Sequence, residues 1–232
     1  MRGIRYAGVI AIWVNMLWGI FTPTRPEWLK ERLKSLPKLE HRHVSHMGNK
    51  SYFVETHNLR SWSRISGNVG IGTPEQMARE FLSRHATEFG FSNDLSDIEL
   101  KRWRESKVRA RNDAYRVEFI QKINGIPVYN SDIGVILTKD GEVIKAFSNY
   151  FPNIQLDSYN PQISANFAFN AAVSFLQAQG VKSGDTQLMI LAYPRARLVY
   201  KVSFASTSPS GRWEVLVDAM SGEILHVIDR RR

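Results

Sequence analysis

The alternation of apolar and polar residues is clearest in the middle of the chain, at residues 115–123. Val117 and Phe119 lie on one side of this alternation, and charged residues lie on the other. A period of two is typical of a β-strand with one buried face. The next two residues, Asn124 and Gly125, both tolerate the positive φ of a type I′ turn. The pattern therefore predicts a β-hairpin with a tight turn at this point.

The segment that returns from this turn contains Ile126, Pro127, Val128 and Tyr129. Proline has no N–H to donate to a neighbouring strand, so Pro127 predicts an edge strand or a bulge. An edge leaves backbone groups unpaired for a partner strand, and an aromatic side chain such as Tyr129 can anchor an interface. We therefore expect these four residues to bind a partner protein. The alternative is that they only complete the core of the sheet, which suits Ile126 and Val128 better than Tyr129.

Two more strands are predicted at residues 133–138 and 143–148, with a turn at residues 139–141 between them. These residues again alternate or are rich in β-branched types, and the turn contains Asp-Gly. Together with the first hairpin they predict an antiparallel meander.

Two helices have clear start signals. Thr73 is a good N-cap, and Gln76 three residues later completes a capping box. This helix is expected to end at Gly90. A second helix is expected to begin after Ser164 and to end at Gly180.

A polar, proline-containing passage at residues 150–161 separates the two helices and shows no periodicity, so it predicts a domain boundary. After the second helix, strands are predicted at residues 188–192, 197–205, 213–218 and 224–228. The predicted fold class is α+β, with two tandem small domains that each pack a capped helix on an antiparallel sheet.

The N-terminus has a different composition. Arg2 and Arg5 precede an apolar run at residues 6–21, which is typical of a signal peptide or an uncleaved signal-anchor. The run is somewhat shorter than the about 20 residues that a transmembrane helix needs. Residues 1–24 are therefore predicted to direct export, and residues 6–21 to attach the chain to a membrane if they are not cleaved. The protein is expected to be secreted, periplasmic or membrane-anchored facing outward. Residues 25–47 are interpreted as a basic linker with a short helix.

Charge and composition narrow the candidate chemistry. The formal net charge is +9, but residues 1–47 contain eight Lys/Arg and only three Glu, so the rest of the chain is close to ordinary. The chain has no cysteine, which excludes disulfides and cysteine nucleophiles. His41, His43 and His46 lie close together, but Arg42 among them would repel a cation, so we interpret them as a solvated loop rather than a metal site.

The segment of residues 98–111 is strongly basic and contains Trp103. This composition can mark nucleic-acid binding, but the alternation favours a strand with a solvated face that turns at Asn112 and Asp113. No H-E-x-x-H, G-x-S-x-G or P-loop motif is present in the sequence. We therefore predict no catalytic residues, no metal site, no cofactor and no nucleic-acid partner.

Five segments together resemble a known family. The first part resembles the fungalysin/thermolysin propeptide (FTP) domain in T-P-E-Q-M-A-R-E-F-L-S-R-H-A-T-E-F-G-F, F-I-Q-K-I-N-G-I-P-V-Y and D-G-E-V. The second part is similar to the PepSY module in L-V-Y-K-V and W-E-V-L-V-D-A-M-S-G-E-I-L. The resemblance implies an FTP-like domain at residues 48–150 and a PepSY-like domain at residues 151–232. In that family such a prosegment assists the folding of a secreted zinc metalloprotease and keeps it inactive.

The first hypothesis is therefore a non-catalytic, propeptide-like protein that inhibits a thermolysin/fungalysin-like metalloprotease or assists its folding. It would act in trans, or as the detached N-terminal part of such an enzyme. The alternative is an exported, envelope-associated module that binds peptides or proteins and has no protease partner. A hydrolase with an unrecognised site is a third possibility.

Overall fold

The computed structural model describes residues 25–36, 45–46, 49–50, 52–53, 69–70, 72–92, 94–108 and 111–231. The predicted signal or anchor and the histidines His41 and His43 lie outside these residues. The helices are α1 (Glu27–Lys34), α2 (Pro74–Arg84), α3 (Ala86–Phe89) and α4 (Ala165–Phe175). The strands are β1 (Ser45–His46), β2 (Asn49–Lys50), β3 (Tyr52–Phe53), β4 (Ile98–Val108), β5 (Arg111–Ile123), β6 (Ile126–Thr138), β7 (Val143–Ser148), β8 (Gly184–Leu191), β9 (Arg197–Thr207), β10 (Ser210–Asp218) and β11 (Ile224–Asp229).

A single mixed sheet of nine strands connects both halves of the chain. The strands run in the order β11-β10-β9-β8-β6-β5-β4, and β7 lies between β6 and β3. All of these pairs are antiparallel except β6 with β8, which meet in parallel where Val128 pairs with Ile190. The α+β class is therefore confirmed, and the strands of the two predicted sheets are continuous with one another.

The first core lies between α2, α3 and the strands β4–β7. The predicted capping box is present, because the Thr73 side chain accepts from the Gln76 N–H and the Gln76 side chain accepts from the Thr73 N–H. The predicted helix is interrupted at His85 and resumes as α3 until Gly90, whose φ of +73° is easy for glycine. Its apolar face, including Met77, packs on the sheet.

The second core lies between α4 and the strands β8–β11. Ser164 is the N-cap, as predicted, and its Oγ accepts from the Phe167 N–H at 3.2 Å. The helix ends at Phe175, so the predicted end at Gly180 is wrong; Gly180 has a φ of +58° in the loop that follows. The short helix α1 also packs here, since Leu29 is fully buried.

The predicted turns and strands agree with the structure in most places. Asn124 and Gly125 have φ values of 51° and 78°, as a type I′ turn requires. Asn112 and Asp113 lie within β5, so the turn predicted at these residues is wrong. Of the helices in the described part of the chain, none has the length and apolar character needed to cross a bilayer.

Candidate partner-binding site

The four residues predicted to bind a partner lie at the start of β6, where the two halves of the sheet join. Ile126 pairs with Ile123 and Pro127 pairs with Lys122 of β5. Val128 then pairs with Ile190 of β8. Pro127 and Val128 are buried, and Tyr129 is 5% exposed. These residues are therefore internal to the sheet.

A bulge explains this arrangement. Along β5 the pairing partner changes from Asp132 at Ile120 to Pro127 at Lys122, so residues 128–131 bulge out of the ladder. Ser131 fills the gap, because its Oγ accepts from the Gln121 N–H at 3.0 Å and donates to the Val128 carbonyl at 2.9 Å. The bulge turns Val128 away from β5 and towards β8.

The expectation of an open edge at these residues is wrong for this reason. Proline was a correct indicator of a bulge, which is the other place where a sheet tolerates a missing N–H. Contact of Ile126, Pro127, Val128 and Tyr129 with a partner protein stays a prediction.

Tyr129 instead connects the two halves by a partly buried hydrogen bond. Its hydroxyl donates to Oε1 of Glu214 on β10 at 2.6 Å, and Arg230 donates to the same oxygen at 2.8 Å. Burial opposes the ionisation of Glu214, but the hydrogen bonds from Arg230 and Tyr129 outweigh it and lower its pKa. Burial and the adjacent carboxylate raise the pKa of Tyr129, so its hydroxyl remains a donor well above neutral pH.

The strand with an open side in this part of the sheet is β4. It is the last strand in the order, and within the described residues it pairs only with β5. Arg102 lies opposite Glu118 and Arg104 lies opposite Arg116, so these four side chains share one face of the sheet. Trp103 points to the other face, where its ring meets that of Tyr115 edge-on at 5.7 Å.

Glu118 is the centre of this arginine cluster, which we define as Arg102, Arg104 and Arg116 around Glu118. The Nε of Arg102 donates to Oε2 and the Nε of Arg116 donates to Oε1, both at 2.6 Å. A nitrogen of Arg104 lies 4.0 Å from Oε1. Burial opposes the ionisation of Glu118, but the hydrogen bonds from Arg102 and Arg116 outweigh it and lower its pKa.

The cluster was not found from the sequence, although its residue types were noted as a basic strand. Two signals were present: Arg102 and Arg104 are two residues apart, and so are Arg116 and Glu118. Residues at this spacing share a face of a strand. The register that brings the two pairs together depends on a bulge between Leu100 and Arg102, which the sequence does not reveal.

The described residues contain no group of three or more His, Asp or Glu arranged to hold a metal ion. His85, interpreted from its position on the apolar helix face, is buried and contacts Phe81 with a distance of 4.7 Å between the ring centroids. Asp97, just before β4, accepts hydrogen bonds from Tyr150 and Gln121. These bonds connect the segment after β7 with β5 and with the start of β4. The contacts of His85 and Asp97 are therefore structural ones within the first core.

Comparison with known protein families finds a match in the middle of the chain. Residues 105–150, from the end of β4 to just beyond β7, match the Fungalysin/Thermolysin Propeptide Motif (FTP). The chain is also 24% identical over 165 residues to Neutral protease B of Bacillus subtilis (strain 168). That alignment covers 66% of this chain and 30% of the relative, so the chain spans less than a third of the relative's length.

The Bacillus megaterium YpeB C-terminal domain is similar in structure, with a TM-score of 0.39 and 16% identity, over 72% of this chain and 68% of that chain. The resemblance to a metalloprotease propeptide is confirmed by the motif together with the similarity to Neutral protease B.

Proposed function

We propose that this chain is a non-catalytic, propeptide-like protein that binds a thermolysin/fungalysin-like zinc metalloprotease, inhibits it and assists its folding. The observation that carries the proposal is the propeptide motif at residues 105–150. It forms the hairpins between β4 and β7, which pack on the capped helix α2. Similarity to Neutral protease B extends well beyond the motif and supports the same conclusion.

The organisation predicted from the sequence belongs to this proposal. Residues 48–150 form an FTP-like domain and residues 151–232 a PepSY-like domain, preceded by a basic linker at residues 25–47. Residues 1–24 direct export, and residues 6–21 hold the chain at a membrane if they are not cleaved. Cell fractionation, with mass spectrometry of the mature N-terminus, tests export and distinguishes a cleaved signal from an anchor.

The functional test is a titration of the full-length chain against mature Neutral protease B and other thermolysin-like enzymes. We expect saturable inhibition at equal molar amounts, and a higher yield of active enzyme when a denatured protease is refolded with the chain. A chain unfolded before addition is the control for nonspecific protection by added protein. The purified chain alone should cleave no casein.

The contact surface can be examined in the same assay. Tyr129→Ala is a poor probe because Tyr129 is buried and bonded to Glu214, so its loss disturbs the sheet itself. Ile126→Ala is better suited because Ile126 is half-buried beside the exposed turn at Asn124 and Gly125. Weaker inhibition with an unchanged unfolding temperature would support contact at this corner.

An exported module that binds peptides or proteins without any protease partner is the alternative. The open side of β4 favours it, since a strand edge can accept peptides from many sources. Failure to inhibit or refold any thermolysin-like enzyme would reject the first proposal and leave this one. Proteolysis by the purified chain would contradict both.

A further inference from the structure

The arginine cluster at β4 has more positive charge than its own surroundings neutralise. Three guanidinium groups share the single carboxylate of Glu118. Three nearby lysines each have a carboxylate of their own: Lys101 with Asp132 at 3.0 Å, Lys122 with Glu99 at 2.7 Å, and Lys139 with Glu105 at 3.2 Å. These three carboxylates are therefore already paired with lysines and do not neutralise the arginine cluster.

The register makes this excess unfavourable in the free protein. Arg104 lies directly opposite Arg116, and like charges in that position repel. Glu118 already accepts a hydrogen bond at each of its oxygens from the Nε of Arg102 and Arg116. Its one negative charge cannot neutralise three arginines, so an additional anion would stabilise the cluster.

Hydrogen-bond donors that could bind such an anion remain unused on these arginines. Arg102 and Arg116 use only Nε towards Glu118, and their terminal nitrogens make no hydrogen bond within the described residues. The side chains of Arg102 and Arg104 are each 57% exposed. A guanidinium fork of this kind matches a carboxylate in two parallel hydrogen bonds.

The same strand offers an open backbone edge. Within the described residues β4 has a neighbour on one side only, and the carbonyl of Ile98 is already occupied by Arg79. The accessible edge therefore begins beyond Ile98, beside Arg102, Trp103 and Arg104. Trp103 is 48% exposed, which is unusual for tryptophan and leaves an aromatic surface on the opposite face of β4 from the two arginines.

We propose that β4 binds an extended acidic segment of the partner protein, which adds to the sheet as a further strand. Alternate residues of a strand lie about 6.6 Å apart on one face. Acidic residues at positions i and i+2 of the segment therefore lie over Arg102 and Arg104, and the residue between them contacts Trp103. The recognised sequence is thus acidic–apolar–acidic, and the proposal rests on the protease-binding function.

A positively charged edge also protects against self-association, since two copies paired through β4 would bring their arginines together. Protection alone does not require two arginines opposed in register, unused terminal nitrogens and an exposed tryptophan on one short segment. The convergence of these three features is what indicates a binding edge.

The test uses the full-length chain and a short, blocked, fluorescent peptide in which Glu and Val alternate. Binding is followed by fluorescence anisotropy, and the control peptide has Gln in place of Glu. We expect the Gln peptide to bind at least about tenfold more weakly, since it lacks the charge-assisted pairs. N-methylation of the peptide on the edge that faces β4 should abolish binding, and N-methylation on the opposite edge should not.

Arg104→Gln is the variant of choice because Arg102 and Arg116 continue to neutralise Glu118 without it. We expect it to weaken binding of the Glu peptide about tenfold without lowering the unfolding temperature, because it also removes the repulsion between Arg104 and Arg116. Arg195→Gln is the matched control: its side chain is 76% exposed, pairs with Asp157 at 3.6 Å and lies in the other half of the chain.

Equal affinity of the Glu and Gln peptides, or no effect of Arg104→Gln, would overturn this proposal even if the chain inhibits a protease. Dimerisation of the chain that Arg104→Gln strengthens, without peptide binding, would overturn it too. Loss of peptide binding together with weaker protease inhibition in Arg104→Gln would support it. The proposed function fails separately, if no thermolysin-like enzyme is inhibited or refolded.

Discussion

The hydrogen bond between Tyr129 and Glu214 allows a sharp test of how the two halves of the sheet are held together. Tyr129→Phe removes only the hydroxyl and preserves the aromatic ring, which is buried with Leu191 and Val199. Because the hydroxyl donates to a carboxylate at 2.6 Å, its loss removes a charge-assisted bond that joins β6 to β10. We expect Tyr129→Phe to destabilise the protein without changing its fold.

The expected magnitude follows from what remains at Glu214 after the substitution. Hydrogen bonds to charged groups contribute about 1.5–3 kcal/mol. Glu214 keeps Arg230 at 2.8 Å, so its carboxylate is not left without a partner. The loss should therefore be at the lower end, about 1.5 kcal/mol. For a chain of this size that corresponds to a fall in unfolding temperature of about 3–6 °C.

The pH dependence gives an independent check. The folded-state pKa of Glu214 lies below its ordinary value of 4.5, so the stability that it contributes is complete above that value. This contribution is lost as the pH falls through the lower, folded-state pKa. The difference between wild type and Tyr129→Phe should therefore be constant near neutral pH and shrink below about pH 4.5.

The measurement is urea unfolding followed by circular dichroism between pH 3 and pH 8. Tyr159→Phe is the matched control, since Tyr159 is partly buried and its hydroxyl has no hydrogen bond in the described part of the chain. Glu214→Gln and the double variant complete a cycle that isolates the pair. A Tyr129→Phe variant within about 0.3 kcal/mol of wild type at pH 7 would refute the reasoning, because that lies within ordinary additivity error.

Three further substitutions have defined outcomes in thermal or urea unfolding. Gly125→Val should cost about 1–3 kcal/mol through its φ of +78° alone, since a Cβ there meets no atom within 4 Å. Gly134→Ala should cost about 1–3 kcal/mol because its Cβ would lie 2.3 Å from the Phe147 ring, and the cost should fall when Phe147→Ala is also present. Glu118→Gln should cost about 1–3 kcal/mol near neutral pH, and the difference from wild type should shrink below the ordinary value of 4.5 and be lost as the pH falls through the lowered pKa of Glu118.

Each of these has an outcome that contradicts it. Unchanged stability of Gly125→Val would be incompatible with the type I′ turn, whereas Asn124→Gly should be nearly neutral because glycine adopts the same φ. A cost of Gly134→Ala that is the same with and without Phe147 would exclude steric conflict with the ring. A Glu118→Gln effect that does not shrink at all as the pH falls below 4.5 would have to arise from packing rather than from charge.

The features that the sequence predicted well are those decided by neighbouring residues. The capping box at Thr73 and Gln76 needs only two side chains three residues apart. The turn at Asn124 and Gly125 needs only two residues that accept positive φ. Such local requirements are visible in the amino-acid sequence itself, and both predictions are confirmed.

The features that the sequence predicted poorly depend on contacts between residues that are far apart in the chain. Pro127 shows that a backbone N–H is missing, but not whether an edge or a bulge accommodates the loss. The choice is made by Ile190, which pairs with Val128 and draws the start of β6 into the second half of the sheet. In the same way, the arginine cluster depends on one bulge, since a register shift of one residue would move Arg102 and Arg104 to the other face.

The two ends of the sheet differ in how far their arginine donors are already used within the chain, and this difference bears on where a partner binds. At the β11 end, Arg231 donates to Asp229 through both Nε and a terminal nitrogen, and Arg230 donates to Glu214. At the β4 end, Arg102 and Arg116 use only Nε towards the one carboxylate of Glu118. An acidic segment therefore finds more unused guanidinium donors on the arginine cluster than on Arg230 and Arg231. If the chain holds a protease through its sheet, these unused donors favour β4 as the contacting end.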